Sequence, residues 1–405
     1  MPRQADRFRQ LPAYPMAHVP VRKRELLAAG RDVIDLGPGD ADLPPPPAVL
    51  EAMRRALDDS AMHRYGFGLG HVPFREAVAR WTQRRFGLTV DPATEVCPLI
   101  GSKEGIVHLC AAYLERGDVA VIPEPGYLAY LGGALLNEAE VYAYPIRPRT
   151  RFLVELEELP EDVLRRTKLV FLNYPNNPTA AVAPRDYLER TVRLCRERDI
   201  LVVYDNAYSE IAFDGYVPPS IFEVPGARDV AVEFHSLSKT YNMTGWRQGW
   251  AVGSADLIAP LAKVKSFIDT GSFMAIQAAG VAALESWAEF VPQNVAVFRE
   301  RRDAGVAAFR AAGFACEVPK AAMYLWLPVP DGIPSRDFTD RLMDDEAVIT
   351  IAGSSFGAGG EGFFRVSLIV PPERLRDAAE RAGRVLAAMR AERAGAAAGG
   401  VLVGA

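Results

Sequence analysis

Hydrophobic residues recur along this chain in short runs, each followed by a polar turn and then by a stretch with helical spacing. The helical spacing is clearest at Arg185–Arg198, where one face is apolar. Strands that alternate with helices are typical of a mostly parallel sheet covered on both faces, so the pattern predicts an α/β fold. The runs that predict buried strands are Glu95–Ile100, Val119–Ile122, Lys168–Leu172, Ile200–Tyr204, Val230–Phe234 and Trp250–Gly253.

The pattern changes on both sides of this region. From about residue 254 it becomes helical and rich in alanine, and it then predicts a smaller α+β region with strands and a last helix from Pro372. The tail from Ala394 has low complexity and is predicted to be mobile. We therefore expect residues 1–40 to form an N-terminal arm and the start of a small domain, residues 41–284 a large α/β domain, and residues 285–405 a small α+β domain. The strands predicted in this last part are Phe314–Val318, Met323–Leu327 and Gly362–Leu368.

Composition narrows the class of protein. The chain has 405 residues, of which 49% are hydrophobic and 24% charged, and its net charge of -5 argues against nucleic acid or an anionic membrane as a partner. No apolar run approaches the ~18 residues that a membrane span needs, and the first residues do not resemble a signal peptide. Four scattered cysteines fit reduced thiols in the cytoplasm, and the five histidines show no metal-binding spacing.

A polar loop between the last two predicted strands contains the strongest candidate chemistry. Lys239 follows Ser236 and Ser238, and Arg247 comes eight residues later. A lysine amine can form a Schiff base with a carbonyl, while hydroxyls and a guanidinium suit a phosphate dianion. An amine beside a phosphate site suggests pyridoxal phosphate, which has both an aldehyde and a phosphate. The alternative interpretation of this short motif is an exposed basic turn.

Other polar residues follow the other predicted strands, at the edge where open α/β sheets bind ligands. Ser102 and Lys103 begin a helix whose N-terminus attracts anions, although they could also be an ordinary cap. Asp205 follows Ile200–Tyr204, and a buried carboxylate there needs a cationic partner. Arg365 is the only charged residue between Phe363 and Ile369, so it needs an anion in turn.

Two more segments have open interpretations at this level. Tyr127 follows Pro125 and Gly126 at a strand end, where it could lie flat on an aromatic ligand or cap the core. Gly39 lies in a turn after a short apolar strand, where it could let the backbone approach a ligand or could serve the turn alone.

Together these segments resemble the fold-type I, class I and II aminotransferases over residues 30–390, and within them the LL-diaminopimelate aminotransferase group. The resemblance implies a large domain with a mostly parallel seven-stranded sheet between helices, plus a smaller α+β domain. It also implies pyridoxal 5'-phosphate as cofactor. The segments that carry it occur in the family's order and are Ile100–His108, Tyr174–Thr179, Asp205–Tyr208, Lys239–Arg247 and Gly359–Arg365.

The resemblance assigns a role to each candidate residue. Lys239 matches the catalytic lysine, and Asp205 matches the carboxylate that faces the pyridine nitrogen. Arg365 matches the arginine that binds the substrate α-carboxylate, with Gly39 and Tyr14 nearby. The remaining matches are cofactor contacts: Tyr65, Ser102, Lys103, Tyr127, Asn177, Tyr208, Ser236, Ser238 and Arg247. Because the matching tyrosine of relatives reaches the neighbouring subunit's phosphate, Tyr65 implies a homodimer with shared active sites.

The implied reaction is transfer of an amino group between an amino acid and a 2-oxo acid by a ping-pong mechanism, with LL-diaminopimelate and 2-oxoglutarate as one substrate pair, in lysine biosynthesis. Alternatives are an alanine, aspartate or succinyl-diaminopimelate aminotransferase, a β-lyase, and a ligand-sensing module of a DNA-binding protein. About 30 arm residues leave no room for the DNA-binding segment of the last. The arm, residues 269–274 and the partner subunit are expected to contact the substrate side chain.

Two positions depart from the family pattern. Ala180 stands where relatives commonly have glycine, and Ala352–Phe356 stands where the diaminopimelate group tends to have a Pro-Gly pair. The second departure bears on the substrate and not on the cofactor.

Overall fold

A computed structural model describes residues 2–400 of the chain, and side chains as far as residue 395. These residues form two compact units. The first unit contains residues 2–12, 40–296 and 320–322, and the second contains residues 13–39, 297–319 and 323–400. Among the described residues, no helix combines the length and the hydropathy that crossing a bilayer requires.

The strands of residues 2–400 are β1 (Ile34–Asp35), β2 (Val96–Leu99), β3 (Val119–Glu124), β4 (Glu140–Pro145), β5 (Thr167–Asn173), β6 (Leu201–Asp205), β7 (Ala231–Ser236), β8 (Gly249–Val252), β9 (Tyr324–Pro328), β10 (Val348–Ile349), β11 (Ile351–Ala352) and β12 (Phe363–Ser367). The α-helices of the same residues are α1 (Asp6–Arg9), α2 (Val19–Ala28), α3 (Pro47–Asp58), α4 (Val72–Phe86), α5 (Ser102–Tyr113), α6 (Leu128–Leu136), α7 (Glu161–Arg166), α8 (Arg185–Arg198), α9 (Leu237–Thr240), α10 (Ala255–Ile268), α11 (Met274–Glu285), α12 (Trp287–Ala311), α13 (Ser335–Glu346) and α14 (Pro372–Gly400). Short 3₁₀ turns join several of them.

The first unit is built on a seven-stranded sheet with the order β2-β8-β7-β6-β5-β3-β4. Strand β8 pairs antiparallel with both of its neighbours, and the pairs from β7 to β4 are all parallel. The prediction of an α/β fold with a mostly parallel seven-stranded sheet is therefore confirmed.

Burial on both faces explains the continuous apolar runs. Along β6, Val202 and Tyr204 enter the hydrophobic core on one face, while Leu201 and Val203 enter the core on the other. Successive side chains of a strand point to opposite faces, so a strand covered on both sides has no polar alternation. Polar residues are left for the strand ends, which is where the candidate residues lie.

Strand register brings several of these ends together. Ser236 at the end of β7 pairs with Gly249 at the start of β8, and Gly249 also pairs with Leu99 at the end of β2. Asn173 and Asp205 pair at the ends of β5 and β6. The turns that follow β2, β5, β6 and β7 therefore lie at one edge of the sheet.

The second unit has an α+β architecture. Strand β1 pairs parallel with β10, and β11, β12 and β9 form an antiparallel sheet. Phe364 on β12 is fully buried, and its ring contacts Phe309, Phe314 and Phe338 with centroids 5.0–6.3 Å apart. This aromatic cluster joins the sheet to α12 and α13.

The structure differs from the predicted organisation in two places. Phe314–Val318 is not a strand: Phe314 and Cys316 are buried in strand-like alternation, but the carbonyl of Cys316 accepts a hydrogen bond from Arg310 Nε (2.8 Å). The first unit also extends to residue 296 and includes residues 2–12, whereas the sequence suggested 41–284. The reason is α12, whose first turns pack on the first unit, where Val291 enters its core.

The predicted mobile tail falls partly on residues 401–405, which lie outside the described residues. Its earlier part, as far as Gly400, continues helix α14.

Candidate active site

An anion cradle lies at the strand edge of the first unit, formed by Gly101, Ser102, Ser236, Arg247 and Gly249. Gly101 has a φ of 73°, and a Cβ there would collide with the guanidinium of Arg247. A Cβ on Gly249 would lie 3.0 Å from the backbone nitrogen of Ser102. The two glycines thus let Arg247 and the first turn of α5 come together, which joins a cation to the positive end of a helix dipole.

Lys239 lies next to this cradle in the chain, on the single turn of α9 that follows β7. The turn is held firmly, because Ser236 Oγ accepts a hydrogen bond from the Ser238 amide (3.1 Å) and Asn294 Nδ2 donates to the Thr240 carbonyl (3.1 Å). Ser236 and Ser238 are buried, whereas Lys239 is half-buried. The structure therefore fixes the backbone under the lysine and leaves its side chain in partial contact with solvent.

Asp205 ends β6 as a buried carboxylate. Burial raises its pKa to about 6, although the Tyr130 hydroxyl, which donates to Oδ2 (2.7 Å), and the nearby His235 oppose the rise. The backbone amide of Ala207 also opposes the rise, but within residues 2–395 no donor makes a well-formed hydrogen bond to the buried Oδ1. A buried carboxylate oxygen without a well-formed hydrogen bond is costly, so Asp205 has the surroundings of a group that meets a cationic N–H.

The turn that carries Asn177 is attached to the same strand end. Asn173 Nδ2 donates to the Asp205 carbonyl (2.7 Å), and Asn173 Oδ1 accepts from the Asn177 amide (2.7 Å). Tyr208 is buried three residues after Asp205. The structure thus fixes Asn177 and Tyr208 at the ends of neighbouring strands.

Tyr127 and Lys103 also approach one another at this edge. Tyr127 is the residue before α6, and Lys103 Nζ lies 5.8 Å from the centroid of its ring. The Tyr127 ring in turn packs edge-on against Tyr130, with centroids 5.7 Å apart. The packing against Tyr130 therefore restrains the orientation of the Tyr127 ring.

Arg365 lies in the second unit, on β12, and is buried. Its guanidinium stacks over the rings of Tyr324 (4.4 Å to the centroid) and Phe356 (4.9 Å), and Nη2 donates to the Gly37 carbonyl (2.5 Å). A Cβ on Gly39 would collide with the Tyr324 hydroxyl, so Gly39 allows this turn to approach the same tyrosine. Arg365 and Gly39 therefore share Tyr324 as a neighbour, and their common role toward a substrate carboxylate stays a prediction.

The two departures from the family pattern have structural counterparts. Ala180 has a φ of 59°, a conformation that glycine adopts without strain, so its methyl group costs roughly 1 kcal/mol. The Ala352–Phe356 segment contributes the Phe356 ring that covers Arg365.

Four predicted site residues are exposed, namely Tyr14, Tyr65, Lys103 and Arg247. Tyr65 is 76% exposed and its ring packs against Phe67, while Tyr14 is 58% exposed. The predicted contact of Tyr65 with a neighbouring subunit and the predicted contact of Tyr14 with substrate stay predictions.

Sequence reasoning missed the residues that position the candidate side chains. Tyr130 orients Asp205, Asn173 links two strand ends, and Gly249 makes the cradle possible. The position of Tyr130, one helical turn after Tyr127, was a signal that both could face one site.

Comparison with known proteins agrees with this geometry. The family model described as aminotransferase class I and II matches residues 31–381. The chain belongs to this aminotransferase family. It is an enzyme, and enzymes of this family act on amino acids and 2-oxo acids and generally depend on pyridoxal phosphate.

Curated relatives and solved structures match this aminotransferase along most of its length. An LL-diaminopimelate aminotransferase of Syntrophobacter fumaroxidans is 45% identical over 93% of this chain and 97% of its own. A substrate-bound structure of BacF from Bacillus subtilis is 33% identical, with a TM-score of 0.92 over 95% of this chain and 98% of its own. A probable N-succinyldiaminopimelate aminotransferase from Thermus thermophilus is 37% identical, with a TM-score of 0.87 over 92% and 100%.

Proposed function

We propose that this aminotransferase binds pyridoxal 5'-phosphate and transfers the amino group of LL-diaminopimelate to 2-oxoglutarate. The observation that supports the cofactor assignment most strongly is the buried Asp205 Oδ1, which accepts no well-formed hydrogen bond from residues 2–395. A protonated pyridine nitrogen is a cationic N–H donor of the kind that this oxygen needs. The anion cradle supplies the matching site for a phosphate.

Each residue then has a definite task toward the cofactor. The amine of Lys239 would hold it covalently, and the cradle would bind its phosphate through the N-terminus of α5 and the guanidinium of Arg247. Tyr127 would lie against the ring, and Asn177 and Tyr208 would hydrogen-bond its hydroxyl. When bound, pyridoxal phosphate supplies an aldehyde that takes up the amino group and a ring that stabilises negative charge at the substrate α-carbon.

Side chains of the protein would carry out the proton transfer and orient the substrate. The amine of Lys239 would remove the proton from the substrate α-carbon. Arg365 would bind the α-carboxylate as a two-pronged ion pair and so fix the direction of the α C–H bond. Since one product leaves before the second substrate binds, the kinetics should be ping-pong.

The choice of LL-diaminopimelate is supported by the relatives, several of which carry this name at about 45% identity over more than nine-tenths of the chain. A homodimer with Tyr65 at the partner's phosphate and a cytoplasmic location form part of the same proposal.

Two experiments test the proposal at separate levels. For the cofactor, borohydride reduction of the wild-type protein should fix one pyridoxyl group on Lys239, and Lys239→Ala should lose this group and nearly all turnover. A reducible link that persists in Lys239→Ala contradicts the assignment. Lys263→Ala, an exposed lysine of α10, is the control.

For the substrate, initial rates should be measured with a panel of amino donors against 2-oxoglutarate and pyruvate. LL-diaminopimelate should give the highest kcat/KM, and a clear preference for alanine, aspartate or succinyl-diaminopimelate would replace it. Release of pyruvate and ammonia without an oxo-acid acceptor would instead indicate a β-lyase.

A further inference from the structure

A cluster of four titratable residues, two of them buried and two half-buried, lies beside the anion cradle, and the mechanism above does not use it. This charge cluster consists of Glu104, His108, Lys265 and Asp269. Lys265 Nζ lies 2.5 Å from Glu104 Oε1 and 3.1 Å from both carboxylate oxygens of Asp269. His108 Nδ1 lies 2.6 Å from the same Glu104 oxygen. The Lys265 side chain is only 7% exposed, so the ammonium has exchanged water for these two carboxylates.

Glu104 connects the charge cluster to the anion cradle. The second oxygen of Glu104, Oε2, accepts a hydrogen bond from the backbone amide of Ile100 (3.0 Å). Ile100 directly precedes Gly101, whose left-handed φ makes the close approach of Arg247 possible. Glu104 therefore braces the turn between β2 and α5, on which the cradle depends.

Asp269 connects the charge cluster to the backbone of residues 269–274. Asp269 Oδ1 accepts a hydrogen bond from the Gly271 amide (2.7 Å), across Thr270, which has a φ of 59°. A β-branched residue in this conformation needs surrounding contacts to keep it there. Ser272 Oγ also donates a hydrogen bond to Gln248 Oε1 (3.1 Å). The fully buried Gln248 lies between Arg247 and Gly249 of the cradle in the chain.

The surroundings favour the charged forms of Glu104 and Lys265. Burial alone would raise the pKa of Glu104, but His108 and Lys265 overcome this and lower it to about 2. Burial works against the charged form of Lys265, yet Glu104 and Asp269 still raise its pKa above the ordinary value. Glu104, His108 and Asp269 are spaced closely enough to hold a metal ion, but the Lys265 ammonium already supplies the positive charge at this point.

We propose that Lys265 is a positioning residue whose ammonium, held between Glu104 and Asp269, fixes the anion cradle and residues 269–274 as one unit. Binding of an anion in the cradle and ordering of these residues are then linked. The proposal rests on the proposed function in one respect, since it takes the phosphate of pyridoxal phosphate as the natural anion. Because residues 269–274 are expected to contact the substrate side chain, Lys265 would couple cofactor binding to substrate selection.

The test compares Lys265→Met with Lys265→Arg, and uses Lys263→Met as the control on an exposed position of the same helix. Amide hydrogen exchange of residues 266–274 is measured without cofactor, and the affinity for inorganic phosphate and for pyridoxal phosphate is measured by calorimetry. Lys265→Met should speed amide exchange and weaken both affinities by at least about tenfold, because the ion pairs with Glu104 and Asp269 are lost. Lys265→Arg should recover most of each loss, and Lys263→Met should match the wild type.

A folded Lys265→Met protein with wild-type exchange and wild-type phosphate affinity overturns the proposal. If Lys265→Met does not fold, Glu104→Gln serves instead, since it keeps an acceptor for the Ile100 amide and removes the charge that Lys265 meets. Glu104→Gln should weaken phosphate binding and speed exchange of residues 266–274, and a change in neither overturns the proposal. A wild-type protein that binds inorganic phosphate but not pyridoxal phosphate refutes the proposed function, whereas the exchange comparison still decides the role of Lys265.

Discussion

The hydroxyl of Tyr130 donates a 2.7 Å hydrogen bond to Oδ2 of Asp205, so one carboxylate oxygen is engaged by a buried phenol while the other accepts no well-formed hydrogen bond from residues 2–395. Burial and the neighbouring carboxylate raise the pKa of Tyr130 well above its ordinary value, so the phenol keeps its proton and remains the donor. The hydrogen bond fixes the plane of the carboxylate and therefore the direction in which Oδ1 points.

We expect Asp205→Asn to lower kcat by roughly 10²–10³-fold, because a neutral amide cannot stabilise a cationic ring nitrogen. Binding of the cofactor through the cradle should persist, which titration of the protein with pyridoxal phosphate can check. Asp199→Asn, an exposed aspartate paired with Lys168, should leave both quantities unchanged. An Asp205→Asn enzyme with wild-type kcat would remove Asp205 from the mechanism.

The pH dependence of stability should reflect the same carboxylate. The folded, cofactor-free protein holds the pKa of Asp205 at about 6, above the ordinary 3.8, so the folded state binds a proton that the unfolded chain has released. This contribution to stability is complete below pH 3.8 and is lost as the pH rises through about 6. Each pKa unit is worth about 1.4 kcal/mol, so ionising Asp205 costs about 3 kcal/mol.

Urea unfolding of the cofactor-free protein between pH 4 and pH 8 measures this effect, with Asp205→Asn as the comparison. The difference in unfolding free energy between the two proteins should shift in favour of Asp205→Asn as the pH rises through about 6. A difference that does not vary with pH would show that Asp205 does not titrate in this window.

Filling the cradle should weaken anion binding. In Gly249→Ala the new methyl group would lie 2.6 Å from the His235 carbonyl oxygen and 3.0 Å from the Ser102 nitrogen. Strand β8 must therefore move away from β7 and from the start of α5. We expect the affinity for inorganic phosphate to fall by at least about tenfold, measured by calorimetry. Gly245→Ala is the matched control, because a Cβ there meets nothing within 4 Å. Equal affinities in the two variants would exclude the cradle as an anion site.

Arg365→Lys should raise KM for every amino acid and leave cofactor binding intact. A lysine cannot form a two-pronged ion pair, and it loses the flat stacking between Tyr324 and Phe356. Steady-state kinetics with several donors measures the effect, which we expect to be about tenfold or more. Arg376→Lys, on an exposed position of α14, is the control. A rise in KM confined to one donor would assign Arg365 to the side chain instead of the α-carboxylate.

A narrow cavity behind the Lys239 turn should contain ordered water. Among its lining residues, Trp81, Asn206, Tyr241 and Trp250 each have a buried nitrogen or oxygen that makes no hydrogen bond within residues 2–395. Buried polar groups are rarely left unsatisfied, so water should bridge some of them. A crystal structure at about 1.5 Å resolution should show it, and an empty, dry cavity would contradict the expectation.

The sequence was sufficient to predict the sheet and the residues at its edge. Buried runs such as Ile200–Tyr204 are apolar in nearly every position, which predicts a strand covered on both faces. The polar residue that follows each run lies at the sheet edge where open α/β sheets bind ligands. Asp205 and Lys239 could be proposed as site residues for this reason. Their roles came from resemblance to a family and not from pattern alone.

The supporting residues could not be predicted, because they depend on contacts between distant parts of the chain. Lys265 and Glu104 are separated by 161 positions, and nothing local distinguishes Lys265 from the exposed Lys263. The Phe314–Val318 prediction failed for a related reason: alternating burial was correct, but a side chain, Arg310, satisfies the backbone where a neighbouring strand was expected.

Trp81 and Trp250 pack against the imidazole of His235, with centroids 5.1 and 5.3 Å from it, and Trp250 directly follows Gly249. Two of the five tryptophans of the chain therefore lie within a few ångströms of the strand that borders the phosphate site. Their ultraviolet emission is an intrinsic optical reporter, so ligand entry can be followed in real time without attaching a dye.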